Sequence, residues 1–293
     1  MEFVTIGNPG NAADTTGSPS PAGSVAYTYN IGKYEVSRDQ INKANAAGSL
    51  GITLADLQAA GHGDNGLLKP ATGISYYEAA TYVNYLNTST GGTAAYKFVS
   101  GTFQLWSPTD AGYDANNMYR NSLAKYVIAS RDEWYKSAYG NLNGTWNNYA
   151  TGFDYSPTAV RSGTAANTAV YNLTYAAGSG PSGPADITSA GGLSPYGTMG
   201  QGGNAWEWNE TAFDGSNDTA DETREFRGGA WGLYYYGGFN LKASDRIITL
   251  PTDDYVGLGF RVASVPVPEP SALSLLAIGL SGLALVRRRK RAE

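Results

Sequence analysis

Glycine interrupts this chain so often, at 38 of 293 positions, that a fold built on long helices or wide regular sheets is closed to it. Periodic stretches survive only between the interruptions. Ser37 followed by Gln40 is a capping-box pattern, opening a short helix that Gly48 closes. A second short helix is expected over residues 54–60, with Gly61 as its stop. The most regular helical pattern covers residues 76–87: Ser75 caps it, Glu78 completes the box, and Ala79, Ala80, Val83 and Leu86 share one face. Ser130-Arg-Asp-Glu133 repeats the box and opens a helix ending near Gly140. Strands are expected over residues 3–6 and 25–35, separated by a Gly/Pro/Ser/Thr loop at 7–23. Beyond residue 140 short strands alternate with long polar loops. The class is α+β, one irregular domain with few short elements.

Charged residues make up only 15% of the chain, and tyrosine is abundant, at 22 positions. The formal net charge is −5, yet residues 271–293 are strongly basic, so the rest of the chain carries about −9 and is no nucleic-acid binder. Cysteine is absent and His62 is the single histidine. Disulfides, thiolate nucleophiles, Cys zinc sites and multi-histidine metal sites are therefore excluded within the chain.

The C-terminus is organised differently. Val265-Pro-Val-Pro-Glu-Pro270 is a stiff, extended linker. Residues 271–286 carry no charge, and Arg287, Arg288, Arg289, Lys290 and Arg291 follow at once. The apolar run is at the short edge of what spans a bilayer, and the basic cluster would hold its end in the cytoplasm. This arrangement resembles the PEP-CTERM sorting signal, with Pro268, Glu269 and Pro270 as its Pro-Glu-Pro. The resemblance implies export, a transient inner-membrane anchor through a C-terminal hydrophobic helix, processing by an exosortase-type enzyme, and release to the surface or to an exopolysaccharide matrix. Met1-Glu-Phe-Val-Thr-Ile-Gly7 has neither a basic nor a long apolar leader, so a signal peptide is expected upstream of residue 1. The division is residues 1–264 as the domain and 265–293 as linker, transmembrane helix and basic tail.

Within the domain, Thr72-Gly-Ile-Ser-Tyr-Tyr-Glu-Ala-Ala79, Ser130-Arg-Asp-Glu-Trp-Tyr-Lys136, Gly203-Asn-Ala-Trp-Glu-Trp208, Arg227-Gly-Gly-Ala-Trp231 and Gly259-Phe-Arg-Val-Ala263 occur in that order, with Ile31-Gly-Lys-Tyr-Glu-Val36 before them. The set resembles the formylglycine-generating-enzyme, or sulfatase-modifying-factor, family. That resemblance implies a fold related to C-type lectins and a family labelled for non-haem iron or copper chemistry. Its two copper-binding cysteines would fall at Leu233 and Gly238, neither of which can hold Cu(I). Copper and haem are therefore not expected, and the domain reads as a non-catalytic binding or structural module. The alternative is a metal-dependent enzyme of divergent chemistry, using carboxylates such as Glu207, Asp245 or Asp253.

Calcium is the cofactor the resemblance leaves open, at Gly200, Gly203, Ala205 and Glu207, of which only Glu207 offers a carboxylate. A second calcium site would begin at Asn167-Thr168 but lacks a downstream acid in residues 176–183. Asp214-Gly-Ser-Asn-Asp218 with Glu225 has part of an EF-hand pattern but reads as a solvated acidic loop. His62 reads as an exposed loop histidine, and Trp206 and Trp208 as core. Tyr234, Tyr235 and Tyr236 occupy the segment of the catalytic cysteines, where their rings could bind a glycan or a peptide, with Arg227 and Arg246 as donors.

Overall fold

A computed structural model describes residues 1–173, 182–232 and 238–267 of the chain. Among the described residues the α-helices are α1 (Arg38–Gly48), α2 (Tyr76–Thr88) and α3 (Arg131–Tyr139). Each is opened by a complete capping box, Ser37 with Gln40, Ser75 with Glu78 and Ser130 with Glu133. The serine hydroxyl accepts the third helical N–H while the third side chain accepts the cap's own N–H, so two otherwise orphaned donors are satisfied at each start.

Residues 54–56 are irregular and 57–60 form turns, rather than the expected helix. Two of their backbone donors go outside the segment, Ala55 N–H to the Thr72 carbonyl at 2.8 Å and Leu57 N–H to Asn65 Oδ1 at 2.9 Å, while Ala59 and Ala60 donate locally to Asp56. These contacts replace the ladder a helix would need.

The strands are β1 (Phe3–Ile6), β2 (Tyr29–Gly32), β3 (Lys97–Val99), β4 (Thr102–Gln104), β5 (Tyr126–Ile128), β6 (Thr158–Ala159), β7 (Thr168–Ala169), β8 (Trp206–Ala212), β9 (Arg224–Arg227), β10 (Ile247–Thr249), β11 (Leu258–Gly259) and β12 (Val262–Ser264). The strand expected over 25–35 is thus confined to its middle. One antiparallel sheet has the order β1-β2-β12-β5, so the last strand of the domain lies between β2 and β5. The second sheet, β10-β9-β8-β11, is mixed, with β11 parallel to β8. β3/β4 and β6/β7 are separate two-stranded ribbons.

Gly259-Phe-Arg-Val-Ala263 is the crossing between the two four-stranded sheets, because β11 ends at Gly259 and β12 begins at Val262. Gly259 is required there: a Cβ would fall 2.5 Å from the Ala71 carbonyl oxygen.

Part of the tyrosine abundance is explained by the core. Tyr29, Tyr76, Tyr96, Tyr119, Tyr135 and Tyr139 are fully buried. Tyr76 meets Tyr77, Tyr96, Phe103 and Trp208 edge-on at ring separations of 6.0–6.2 Å. The Arg224 guanidinium lies 4.0 Å over the Tyr119 ring and 4.9 Å over Tyr76, a cation–π stack inside the protein.

Candidate functional site

Gly203-Asn-Ala-Trp-Glu-Trp208 leads into strand β8 in the interior, and its side chains diverge to different tasks. Trp208 is fully buried and donates its indole N–H to the Ile74 carbonyl at 2.8 Å. Glu207, equally buried, accepts from Arg261 twice, Nε to Oε2 at 2.6 Å and Nη2 to Oε1 at 2.5 Å. It also accepts the Trp134 indole N–H at 2.6 Å. Arg261 continues to the backbone oxygens of Gly32, Lys33 and Met199. This bidentate pair ties the crossing between the sheets to β8 and α3.

Glu35 lies beside it, accepting from Asn204 Nδ2 at 2.7 Å and the Ala205 N–H at 3.0 Å. Burial, reinforced by the Glu207 charge, pushes the Glu35 carboxyl well above the usual carboxylate range. A Cβ on Gly200 would meet Glu35 Oε2 at 2.9 Å, and one on Gly203, where φ is +113°, would meet the Val170 oxygen at 2.6 Å. The donor set at Glu207 fits a guanidinium rather than calcium, since both carboxylate oxygens already bind Arg261.

At the proposed second calcium position, Asn167 Oδ1 accepts from Thr151 Oγ1 at 2.9 Å, while residues 174–181 lie outside the described region. Glu225, the twelfth position of the EF-hand-like pattern, is fully buried among Arg131, Arg227 and Arg246 at 3.0, 2.8 and 3.2 Å, and so is turned away from the exposed acidic loop. Among the described residues no cluster of three His, Asp or Glu side chains could hold a metal ion.

The two arginine candidates part company. Arg227 is fully buried, bonded to Glu225 and to the carbonyls of Ser18, Ala243 and Asp245, and acts as a structural tie. Arg246 is 21% exposed, with its guanidinium 4.4 Å over the Phe213 ring. Tyr234, Tyr235, Tyr236 and Leu233 lie outside the described residues, as do Pro268, Glu269 and Pro270. Gly238 is described, in a left-handed conformation against the Tyr171 ring.

The carboxylates considered for acid–base work are each engaged with different partners. Asp245 accepts from Asn240 Nδ2 at 2.8 Å, with burial raising its carboxyl, and Asp253 accepts from Thr249 and from the Leu250 N–H.

What the second sheet does present to solvent is an aromatic groove of about 280 Å³. Its walls include Trp206, Phe226, Trp231, Ile247, Tyr255 and His62. Trp206 stacks edge-on against Phe226 at 5.2 Å and keeps 7% of its surface exposed, so it belongs to both core and groove. Tyr255, 56% exposed, stands at the rim. None of Glu207, Asp245 and Asp253 lines this groove. Sequence reasoning missed Tyr255, although its place four residues before Gly259 put it beside a family segment. His62 differs from the expectation of an exposed loop residue: it is half-buried, its ring 5.5 Å from that of Trp231.

Residues 4–265 match the Sulfatase-modifying factor enzyme 1-like domain, and residues 266–290 match the PEP-CTERM protein-sorting motif. The chain belongs to the sulfatase-modifying-factor family and carries a PEP-CTERM signal after its domain. A search of curated proteins returned no match. Similar solved structures include CarF (17% identity, TM-score 0.61, covering 90% of this chain and 98% of that one). Treponema denticola variable protein 1 is also similar, at 16% identity and TM-score 0.56, with coverages of 90% and 95%. PvdO from Pseudomonas aeruginosa follows at 18% identity and TM-score 0.54, with coverages of 90% and 94%. At these identities the likeness is one of fold.

Proposed function

We propose that this chain is an exported, exosortase-processed surface or matrix protein whose sulfatase-modifying-factor domain binds rather than catalyses. The observation carrying the reading is the coexistence of a sorting motif with a domain that has no cysteine and an open aromatic groove. The signature carboxylate and arginines of the family segments are engaged in a buried ionic frame, whereas Trp206, Trp231 and Tyr255 face a cavity. Flat aromatic walls suit the ring of a glycan or the side chain of a peptide. The C-type-lectin kinship of the fold, the transmembrane helix over residues 271–286, inner-membrane anchoring and processing beside Pro268, Glu269 and Pro270 belong to the same proposal. Tyr234, Tyr235 and Tyr236 extend it as neighbouring ligand contacts, with Arg246 as a donor.

The test is Tyr255→Ala, because that side chain is largely exposed and its loss leaves the core intact. Binding to an array of glycans and peptides should weaken roughly three- to ten-fold, the worth of one aromatic contact, while the thermal midpoint stays unchanged. Undiminished binding by the variant would remove the groove from the account.

The frame at Glu207 is further proposed to stand without calcium, its place being taken by Arg261. EDTA is expected to move the thermal midpoint by less than about 1 °C, since chelation subtracts nothing from a site that holds no ion. A drop of several degrees, restored by calcium, would reverse that reading.

A further inference from the structure

The single histidine stands between two cavities. On one side is the aromatic groove; on the other a polar cavity of about 310 Å³ is lined by Asp64, Lys69, Ser162, Asp186 and Ser189 among others, with His62 in both walls. Lys69 and Asp186 form an ion pair across it at 3.2 Å.

Both the backbone and the ring of His62 are held in place. Its backbone N–H donates to the Leu57 carbonyl at 2.7 Å, and its ring meets that of Trp231 edge-on. Nδ1 lies 2.7 Å from the Ser182 carbonyl. Gly183 packs so closely that a Cβ there would fall 1.8 Å from the His62 carbonyl oxygen.

A carbonyl only accepts, so Nδ1 must carry the proton. In the neutral ring the lone pair is then on Nε2. Among the described residues Nε2 has no hydrogen-bond partner, and His62 lines the groove beside Trp206, Phe226, Trp231, Val256 and Leu258.

We propose that His62 is the polar recognition element of a two-chamber site. An aromatic side chain of a peptide, bearing an O–H or N–H, lies in the groove and donates to Nε2, while the neighbouring peptide extends into the polar cavity. The inference rests on reading the aromatic groove as a ligand site. A peptide is favoured over a glycan because, among the described residues, the side-chain acceptors of the groove are His62 and the rim hydroxyl of Tyr255, and most of the remaining lining is apolar or aromatic. A tyrosine or tryptophan ring needs one partner, whereas a sugar would bury several hydroxyls against few. The charged second chamber suits the polar main chain and flanking side chains.

The test uses the full chain in detergent micelles, with ¹³C and ¹⁵N in the imidazole of its only histidine, so that one spin system reports on the site. The probes are N-acetyltyrosinamide, N-acetylphenylalaninamide and methyl β-glucoside. The tyrosine probe should shift the imidazole signals saturably and bind about three- to ten-fold more tightly than the phenylalanine probe, the usual worth of one hydrogen bond. His62→Phe, followed by tryptophan emission, should erase that difference while both probes still bind. Equal binding of the two amides, or a neutral ring protonated at Nε2, would overturn the role of His62 and leave the groove standing. Tightest binding of the glucoside would overturn the peptide assignment. Absence of binding by all three would overturn both the inference and the groove reading beneath it.

Discussion

Replacing Arg261 with methionine is expected to destabilise the domain by about 3–5 kcal/mol, the cost of breaking a buried ion pair by removing one partner. Arg261 is fully buried, and five donor contacts leave its guanidinium, two to Glu207 and three to backbone oxygens. Methionine keeps an unbranched apolar stem but none of these contacts. Glu207 would keep only the Trp134 indole as a partner, and the carbonyls of Gly32, Lys33 and Met199 would lose a charged donor inside the protein. Urea unfolding should show the midpoint falling with little change in slope. The double variant Glu207→Gln with Arg261→Met should recover part of the loss, because it no longer strands a charge. A single-variant loss below about 1 kcal/mol, far under the range for a stranded buried charge, would mean that Glu207 finds solvent or another partner.

The second large effect is at Arg120, which bridges two buried carboxylates. Its Nη1 and Nη2 donate to Glu133 at 3.0 Å each, and its Nε donates to Glu210 at 2.9 Å. Tyr27 Oη adds a bond to Glu133, and Tyr96 Oη and Asn117 Nδ2 add bonds to Glu210. Arg120→Leu is expected to cost at least about 3–5 kcal/mol at neutral pH, because two like charges would be left together in the interior.

The pH dependence separates this from simple loss of packing. Burial alone would raise the Glu133 carboxyl, but the Arg120 charge and its hydrogen bonds hold it below the usual range. A depressed carboxyl contributes stability above its unfolded value, near about 4.3, and that contribution disappears as pH falls through the folded value. Without Arg120 the same burial raises the carboxyl. Its contribution is then intact below the unfolded value and lost as pH rises through the folded one. The gap between variant and wild type should therefore be widest near neutrality and narrow on acidification. Parallel stability curves across that range would contradict the electrostatic account.

The helix starts were legible because a capping box is completed within four residues, and Ser37, Ser75 and Ser130 need nothing from elsewhere to make it. Residues 54–60 were misread for the opposite reason: Thr72 and Asn65 claim the backbone donors of Ala55 and Leu57, and no local pattern announces those partners. The family segments around Glu207 and Arg261 could be picked out in the sequence. Their mutual pairing could not, because it depends on how the chain passes from β11 to β12. The same holds for His62. Its loop was evident, but its position between two cavities is set by Ser182 and Gly183, about 120 residues away. Tyr255 and Trp206 became groove residues through the register of β8 against β11, which places Leu258 opposite Trp206.

The position of β12 bears on how the domain would carry load if it is tethered through its C-terminal side, as proposed above. It is flanked on both sides by antiparallel partners, and the Val265 N–H still bonds to the Lys125 carbonyl, only three residues before Pro268. Tension on a tether beyond that point would run along the axis of an interior strand. The pull would be shared by both ladders at once as shear, instead of peeling bonds open one at a time from an edge. A protein held at a surface and dragged by flow would in this way resist the load where the tether joins it.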